Sequence, residues 1–450
     1  MAKKAIQYVC SECGAISATW MGKCPNCGAW NSLQEEAMLV TGGGGGAVSS
    51  GRALTPESVS TLVKSDQKRL LSGMKDVDAI LGGGVVVGSV NLIAGQPGIG
   101  KSTLLLQLAN SVSAKHKVLY VSGEESGHQI GLRAERLHAK SEQLELATST
   151  SADDIAATIA TKKYELVVVD SIQTIAAQAV ASSAGTVSQI TNSTQLILGA
   201  AKQSGTAVIL VGHVTKEGSI AGPKVLEHVV DVVLQLEGDR YGGFKILRAT
   251  KNRFGPTTEA GIFEMEEAGL KPVENPSAAL LSERQVSDGS IVLATLEGTR
   301  PLLVEVQALV NKTTYGYPKR AASGIDLNRV NLLVAMLERR TKLQLADQDI
   351  YINIVGGMRI SEPAADLAVC MAIGSAARGL QLKSNAVVFG EVGLSGEVRH
   401  VPYIEKRVQE AKKLGFESAI GPNQKTGKPL AFLQGVSDVR GALNQFLEKE

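Results

Sequence analysis

No run of this sequence is long and apolar enough to cross a bilayer. The longest apolar stretch, Val85 to Ala94, is interrupted by Gly88, Ser89 and Asn91 and falls well short of the roughly 20 residues that a spanning helix needs. The opening MAKKAIQYVC lacks the apolar core of a secretory signal. The chain is therefore expected to be soluble and cytoplasmic, with no membrane partner. Charge of one sign is also lacking, since 46 Lys and Arg against 44 Asp and Glu leave a formal net charge of +2. The whole molecule is not a basic glove for nucleic acid, and any DNA contact must come from local patches or loops. No internal repeat is found. Cysteine is scarce, with five residues, and four of them fall within the first thirty positions. Without a secretory signal these thiols are expected to stay reduced and available to metal rather than to form disulfides.

What is present points to several domains. At 450 residues the chain exceeds one ordinary core, so two or three domains are expected. Hydrophobic residues at 44% and charged residues at 20% are an ordinary globular composition. Residues 1–35 read as a Cys-bearing module, and 36–55, containing TGGGGGAVSSGR, as a flexible linker. Residues 56–275 alternate continuous apolar runs (VNLIA, KVLYV, LVVVD, AVILVGH) with helix-like segments starting near Lys101, Asp153 and Val187. Such strands are buried on both faces, so a mostly parallel sheet is predicted, closed by a hairpin of Val232–Gly238 and Phe244–Thr250. Residues 276–450 form a further α/β or α+β unit. Its elements include helix-like Arg329–Lys342 and Pro363–Arg378, strand AVVFGEVGL and a helix near Ile404–Leu414.

Gly95-Gln96-Pro97-Gly98-Ile99-Gly100-Lys101-Ser102-Thr103 fits the spacing of a P-loop and lies between an apolar strand and a helical run. Its glycines let backbone N–H groups surround phosphate oxygens at a helix N-terminus. Lys101 is placed to reach the β/γ-phosphates, and the Ser102 hydroxyl to ligate Mg²⁺. LVVVD ends in Asp170, which at the carboxyl end of a parallel strand is expected to hold Mg²⁺ as well. An apolar strand ending in Asp is common; its place downstream of a P-loop selects the functional interpretation. In VSGEES, Glu124 is expected to align and deprotonate the attacking water, with Glu125 as the alternative. Cys10-x-x-Cys13 and Cys24-x-x-Cys27 are two knuckles aiming four thiolates at one point. They predict a closed, structural zinc site whose ligation contributes on the order of 10–16 kcal/mol to folding in such small modules. Cys370, in an apolar helix, is assigned to the core. Lys251-Asn-Arg253-Phe-Gly255 makes an exposed basic tip, which local pattern alone does not separate from a solvated turn.

Taken in order, the knuckle pair, GQPGIGKSTLL, VSGEES, LVVVDSIQT and KNRFG resemble the RadA (Sms) family of bacterial DNA repair proteins over essentially the whole chain. The resemblance implies a RecA-like P-loop ATPase core, an N-terminal zinc-ribbon-like module and a C-terminal Lon-protease-like α/β domain. It implies Zn²⁺, Mg²⁺ and ATP as cofactors, and a homo-oligomer in the form of a hexameric ring. Lys251 and Arg253 match cations that complete the nucleotide site of a neighbouring subunit. His213 stands where relatives usually carry a Gln that senses the γ-phosphate, which leaves a structural His as the alternative.

The Lon resemblance places Ala364 where the protease has its nucleophilic Ser, and its dyad Lys near Glu405, with Lys406 one place off. A Ser–Lys dyad has no nucleophile to activate without the Ser hydroxyl, so the unit is expected to be a scaffold and not a peptidase. The family further implies branch migration and unwinding of single-stranded and branched DNA alongside the recombinase RecA. Lys216 and Lys224 occupy the positions of DNA-facing loops. Lys312, Tyr315, Tyr317, Lys319 and Arg320 interleave cations with aromatics, a pattern suited to phosphate contact and base stacking. Two other functions fit the same parts: an ATP-dependent Lon-like protease, which Ala364 opposes, and a non-motor regulator that uses ATP only to assemble.

Overall fold

Continuous β-branched and leucine-rich runs have no polar face to show to water, so they pack into the middle of a sheet covered on both sides. The computed structural model describes residues 6–10, 15–17, 19–37, 68–213, 225–238, 244–314, 316–383, 385–424 and 430–449. Most of the expected linker lies outside these residues, as do Cys13, Lys216, Lys224 and Tyr315.

The N-terminal module is a small antiparallel sheet of β1 (Ile6–Cys10), β2 (Ile16–Ser17) and β3 (Leu33–Ala37), in the order β2-β1-β3. A two-stranded ribbon follows, β4 (Arg69–Leu70) with β5 (Val85–Val86). The main sheet contains β6 (Val90–Gly95), β7 (Val118–Ser122), β8 (Leu144–Thr148), β9 (Leu166–Asp170) and β10 (Ala207–His213). It continues through β11 (Val232–Gly238), β12 (Phe244–Asn252), β13 (Ala260–Glu266) and β14 (Gly269–Pro272). Its order is β14-β13-β12-β11-β6-β10-β9-β7-β8, and every pairing from β11 to β8 is parallel. Strands β6, β7 and β9 are buried along their full length.

Helices Lys101–Val112, Gly127–Arg136, Ala152–Ala160 and Val187–Ser204 connect the parallel strands. Their starts are set by local chemistry. Ser126 forms a capping box with Gln129, Ser151 accepts from the Asp154 N–H, and Thr186 accepts from the Gln189 N–H. Helix Gly127–Arg136 and edge strand β8 escaped the sequence reading. Only Ile130 is buried in that helix, and β8 is half-buried, so neither shows a continuous apolar run.

The chain divides into two compact units, and residues 238–246, 258–264 and 272–450 form the second. Its sheet comprises β15 (Ser290–Glu297), β16 (Arg300–Lys312), β17 (Arg320–Ser323), β18 (Gln348–Ile354), β20 (Ala386–Val388), β23 (Ser418–Pro422) and β24 (Leu433–Val436). Short ribbons pair β19 (Gln381–Leu382) with β25 (Leu447–Glu448) and β21 (Glu391–Val392) with β22 (Val398–Arg399). The order β17-β18-β16-β15-β20-β23-β24 mixes antiparallel pairs around β16 with parallel pairs from β15 to β24, which answers what periodicity left open.

Helices Leu327–Thr341, Asp366–Arg378, Ile404–Lys413 and Val439–Phe446 contribute to its core. Two details correct the sequence reading. AVVFGEVGL is not one strand, because β20 ends at Val388 and a separate ribbon begins at Glu391. At Gly390 a Cβ would meet Val398 Cγ1 at 2.9 Å, so this position marks a close approach rather than strand interior. The helix expected from Pro363 starts at Asp366 and is preceded by a 3₁₀ turn.

Candidate nucleotide and metal sites

Parallel strands deliver their carboxyl ends to one edge of the sheet, and the register here aligns four of them. His213 pairs with Gly95, and Ser122 pairs with Asp170. The loop leaving β6 exposes Gln96, Pro97 and Gly98, buries Ile99, and enters helix Lys101–Val112 through Gly100 at φ +115°. That backbone angle, which side chains rarely adopt, requires glycine there. The first turn of this helix presents the amides that a helix leaves without intrahelical partners, which is the anion cradle the motif predicts.

Lys101 is buried, and its ammonium donates to the Gly95 carbonyl at 2.8 Å and the Gln96 carbonyl at 3.0 Å. It also lies 3.2 Å from His213 Nδ1. A charged ammonium only donates, so Nδ1 accepts and the imidazole proton sits on Nε2, which faces Glu124 Oε1 at 3.5 Å. Desolvation pushes the Lys101 pKa down to about 8, with Asp170 and Glu124 acting in the opposite direction. Glu124 also accepts from the Ser171 hydroxyl. Glu125 is differently placed: both its oxygens are taken by Arg133, at 2.6 and 2.7 Å.

Asp170 is buried and accepts from the Tyr120 hydroxyl at 2.6 Å. Burial, and then the Asp170 charge, hold the Tyr120 pKa well above its ordinary value. Lys101, Glu124, Asp170 and His213 thus converge, whereas Tyr120, Ser171 and Arg133 were missed from sequence. The one signal for Tyr120 was an aromatic residue in a strand otherwise built from Val, Leu and Ser.

The KNRFG tip is fixed by bonds to its own unit. The Lys251 ammonium donates to the Glu227 and Val230 carbonyls at 2.6 and 2.7 Å, at the end of helix Val225–Val229. Burial, and then Arg253, lower its pKa. Asn252 donates to the Ile80 carbonyl at 3.0 Å. Arg253 is half exposed and bonds Asp231 at 3.0 Å, while the other oxygen of Asp231 accepts from the Val90 N–H.

In the N-terminal module, Cys10, Cys24 and Cys27 place their sulfurs within 4.8 Å of one another, with Cys10 and Cys27 at 3.6 Å. Tetrahedral zinc with bonds of about 2.3 Å requires sulfurs roughly 3.8 Å apart, so the described thiols fit the ion; the fourth, Cys13, lies outside the described residues. Gly28, at φ +75°, closes the second knuckle and donates to the Cys24 carbonyl.

In the second unit Ala364 is buried and its carbonyl accepts from the Gly390 N–H. Glu405 is exposed, and the Lys406 ammonium donates to the Thr299 carbonyl at 3.2 Å. Arg407, fully buried, pairs with Glu362 and donates to the Ala294 carbonyl at 2.6 Å. Lys312 is exposed at the end of β16, and Tyr317 is 87% exposed. The Lys319 N–H donates to Asp349, and the Arg320 guanidinium lies 3.5 Å from Asn331.

A P-loop opening on the carboxyl edge of this parallel sheet, with carboxylates on the neighbouring strand ends, defines an ATPase core of the RecA-like class. Models of the AAA domain, the rubredoxin metal binding domain and subunit ChlI of Mg-chelatase match residues 57–219, 8–35 and 313–425. DNA repair protein RadA of Halalkalibacterium halodurans is 46% identical over 451 residues, covering 98% of this chain and 99% of that protein. Those of Brucella abortus and Bacillus subtilis are each 48% identical, covering 94% of this chain and 93% of theirs. Among solved structures, one described as the crystal structure of the RadB recombinase is 25% identical with a TM-score of 0.37, covering 46% of this chain and 100% of that one.

The chain belongs to the RadA family of DNA repair proteins. Its parts are a zinc ribbon, a RecA-like ATPase core and a Lon-like unit, and its cofactors are Zn²⁺ and ATP with Mg²⁺. No helix among the described residues is long and apolar enough to cross a membrane.

Proposed function

We propose that the chain is a DNA-stimulated ATPase that moves on single-stranded DNA and processes branched recombination intermediates in the cytoplasm. It would assemble as a hexameric ring and act beside the recombinase RecA. The observation that carries the proposal is the convergence of Lys101, Glu124, Asp170 and His213 at the ends of adjacent parallel strands. Residues Gly95 to Thr103 cradle the phosphates, with Lys101 exchanging its carbonyl partners for phosphate oxygens. Ser102 and Asp170 would hold Mg²⁺, which neutralises charge on the transferred phosphoryl group. Glu124 is favoured over Glu125 as the base because Arg133 occupies both oxygens of Glu125.

Arg253, half exposed and steadied by Asp231, would complete a neighbour's site. Lys251, bonded to carbonyls of its own protomer, supports the same tip. A cation of this kind is typically worth 10³–10⁵ in rate. DNA contact is assigned to Lys216, Lys224, Lys312, Lys319 and Arg320, and zinc to Cys10, Cys13, Cys24 and Cys27. The second unit is proposed to be non-proteolytic. The test is ATP hydrolysis by the purified chain with and without single-stranded DNA, beside Lys101→Ala and Lys251→Ala. Stimulation lost in both variants is the expected result. Hydrolysis indifferent to DNA would favour a regulator that uses ATP only to assemble.

A further inference from the structure

We infer that Tyr120 is a positioning residue for the metal-binding carboxylate, fixing Asp170 through Oδ2 so that Oδ1 is the oxygen offered to Mg²⁺. This rests on the nucleotide centre proposed above and adds a residue to it.

Side chains alternate along a strand, so Tyr120 and Ser122 share one face of β7. In the parallel register Tyr120 pairs with Val168 and Ser122 with Asp170. Tyr120 is therefore the diagonal neighbour of Asp170, two residues back, a separation that a long aromatic side chain spans. The ring is 1% exposed, in a strand otherwise built from Val, Leu and Ser. The sheet order β9-β7-β8 puts a neighbour on both sides of that strand. A buried phenol must find an acceptor, and here the acceptor is the carboxylate itself. At 2.6 Å the contact lies in the range of a hydrogen bond to a charged oxygen.

The two opposite charges also keep separate partners. Lys101 feels Asp170 electrostatically, yet its ammonium stays on the Gly95 and Gln96 carbonyls and His213, while Asp170 stays on Tyr120. A carboxylate held in this way is presented in one orientation before metal arrives. Partners of this kind typically change metal affinity 10–100-fold when removed.

The test uses the full chain and a fluorescent ADP, titrated once with Mg²⁺ and once with EDTA. Tyr120→Phe keeps the ring and removes only the hydroxyl. The expected result is unchanged metal-free affinity and a loss of about tenfold in the tightening that Mg²⁺ confers. In an Asp170→Asn background the same substitution should cost nothing further. Equal Mg²⁺-dependent tightening in wild type and Tyr120→Phe overturns the inference, as does an undiminished cost in the Asp170→Asn background. Loss of metal-free binding in Tyr120→Phe would also overturn it, because the hydroxyl would then serve the fold. Wild-type protein whose ADP affinity ignores Mg²⁺ would instead remove Asp170 from the metal site, and this inference with it.

Discussion

The two units partner their charged groups in opposite ways. In the nucleotide centre Lys101 rests on backbone carbonyls and an imidazole, Glu124 on a hydroxyl, and Asp170 on a phenol. These three charges are not matched directly to one another, so Lys101 keeps partners that an incoming phosphate can replace, and Asp170, held by Tyr120 through one oxygen, keeps the other for a metal. Around Ala364 the charges cancel one another. Glu362 takes Arg407, the Thr295 hydroxyl and the Leu296 N–H, and Asp366 takes Arg329 and the Val392 N–H. Ionic groups matched in this way support the proposed scaffold role of the second unit, whereas the groups of the nucleotide centre keep the capacity to bind. The zinc module is a third case, in which a metal ion matches the thiolates.

Removing that metal has the largest expected effect, because ligation contributes on the order of 10 kcal/mol to folding so small a module. The only two tryptophans, Trp20 and Trp30, both lie in the module and are 57% and 73% exposed. Chelation or Cys24→Ser should therefore change tryptophan emission and protease sensitivity near the N-terminus while leaving nucleotide affinity intact. Next comes Arg407→Met, which strands Glu362 without its cation and should cost about 3–5 kcal/mol. Urea unfolding should show this as a loss confined to the second unit, with ADP affinity retained.

A smaller effect follows from Lys101. Its pKa of about 8 lies below the ordinary 10.5, so the amine loses its proton as pH rises through 8. Bound phosphates favour the ammonium, so binding takes up a proton above that pH. Nucleotide affinity should then fall by up to about tenfold per pH unit between 8 and 10, and Lys101→Arg should flatten the profile. The smallest expected effect is that of Ala364→Ser. A peptidase assay should stay blank, because Lys406, one place from the position of the dyad Lys, is bonded to the Thr299 carbonyl and no base is supplied to the new hydroxyl.

Much of the nucleotide centre was legible because it is written in consecutive residues. A P-loop needs its glycines at fixed spacing, and an apolar strand ending in Asp170 announces its own carboxyl end. The knuckles were legible for the same reason. Tyr120, Ser171, Asp231 and Arg407 were not, since their partners come from strand register and loop closure across tens of residues. The hydroxyl of Tyr120 and the guanidinium of Arg407 acquire meaning only once the sheet order is known. Edge strand β8 and the helix before it were lost because their half-exposed faces dilute the apolar pattern that reveals the central strands.

The most direct measurement is single-turnover ATP hydrolysis by Glu124→Gln, with and without single-stranded DNA, beside its nucleotide affinity. The account predicts nucleotide binding close to wild type, and hydrolysis lowered by roughly 10²–10⁴-fold, the usual contribution of a positioned base, with no recovery on adding DNA. Hydrolysis at the wild-type rate would contradict it, because the carboxylate between Ser171 and His213 would then have no part in the chemistry.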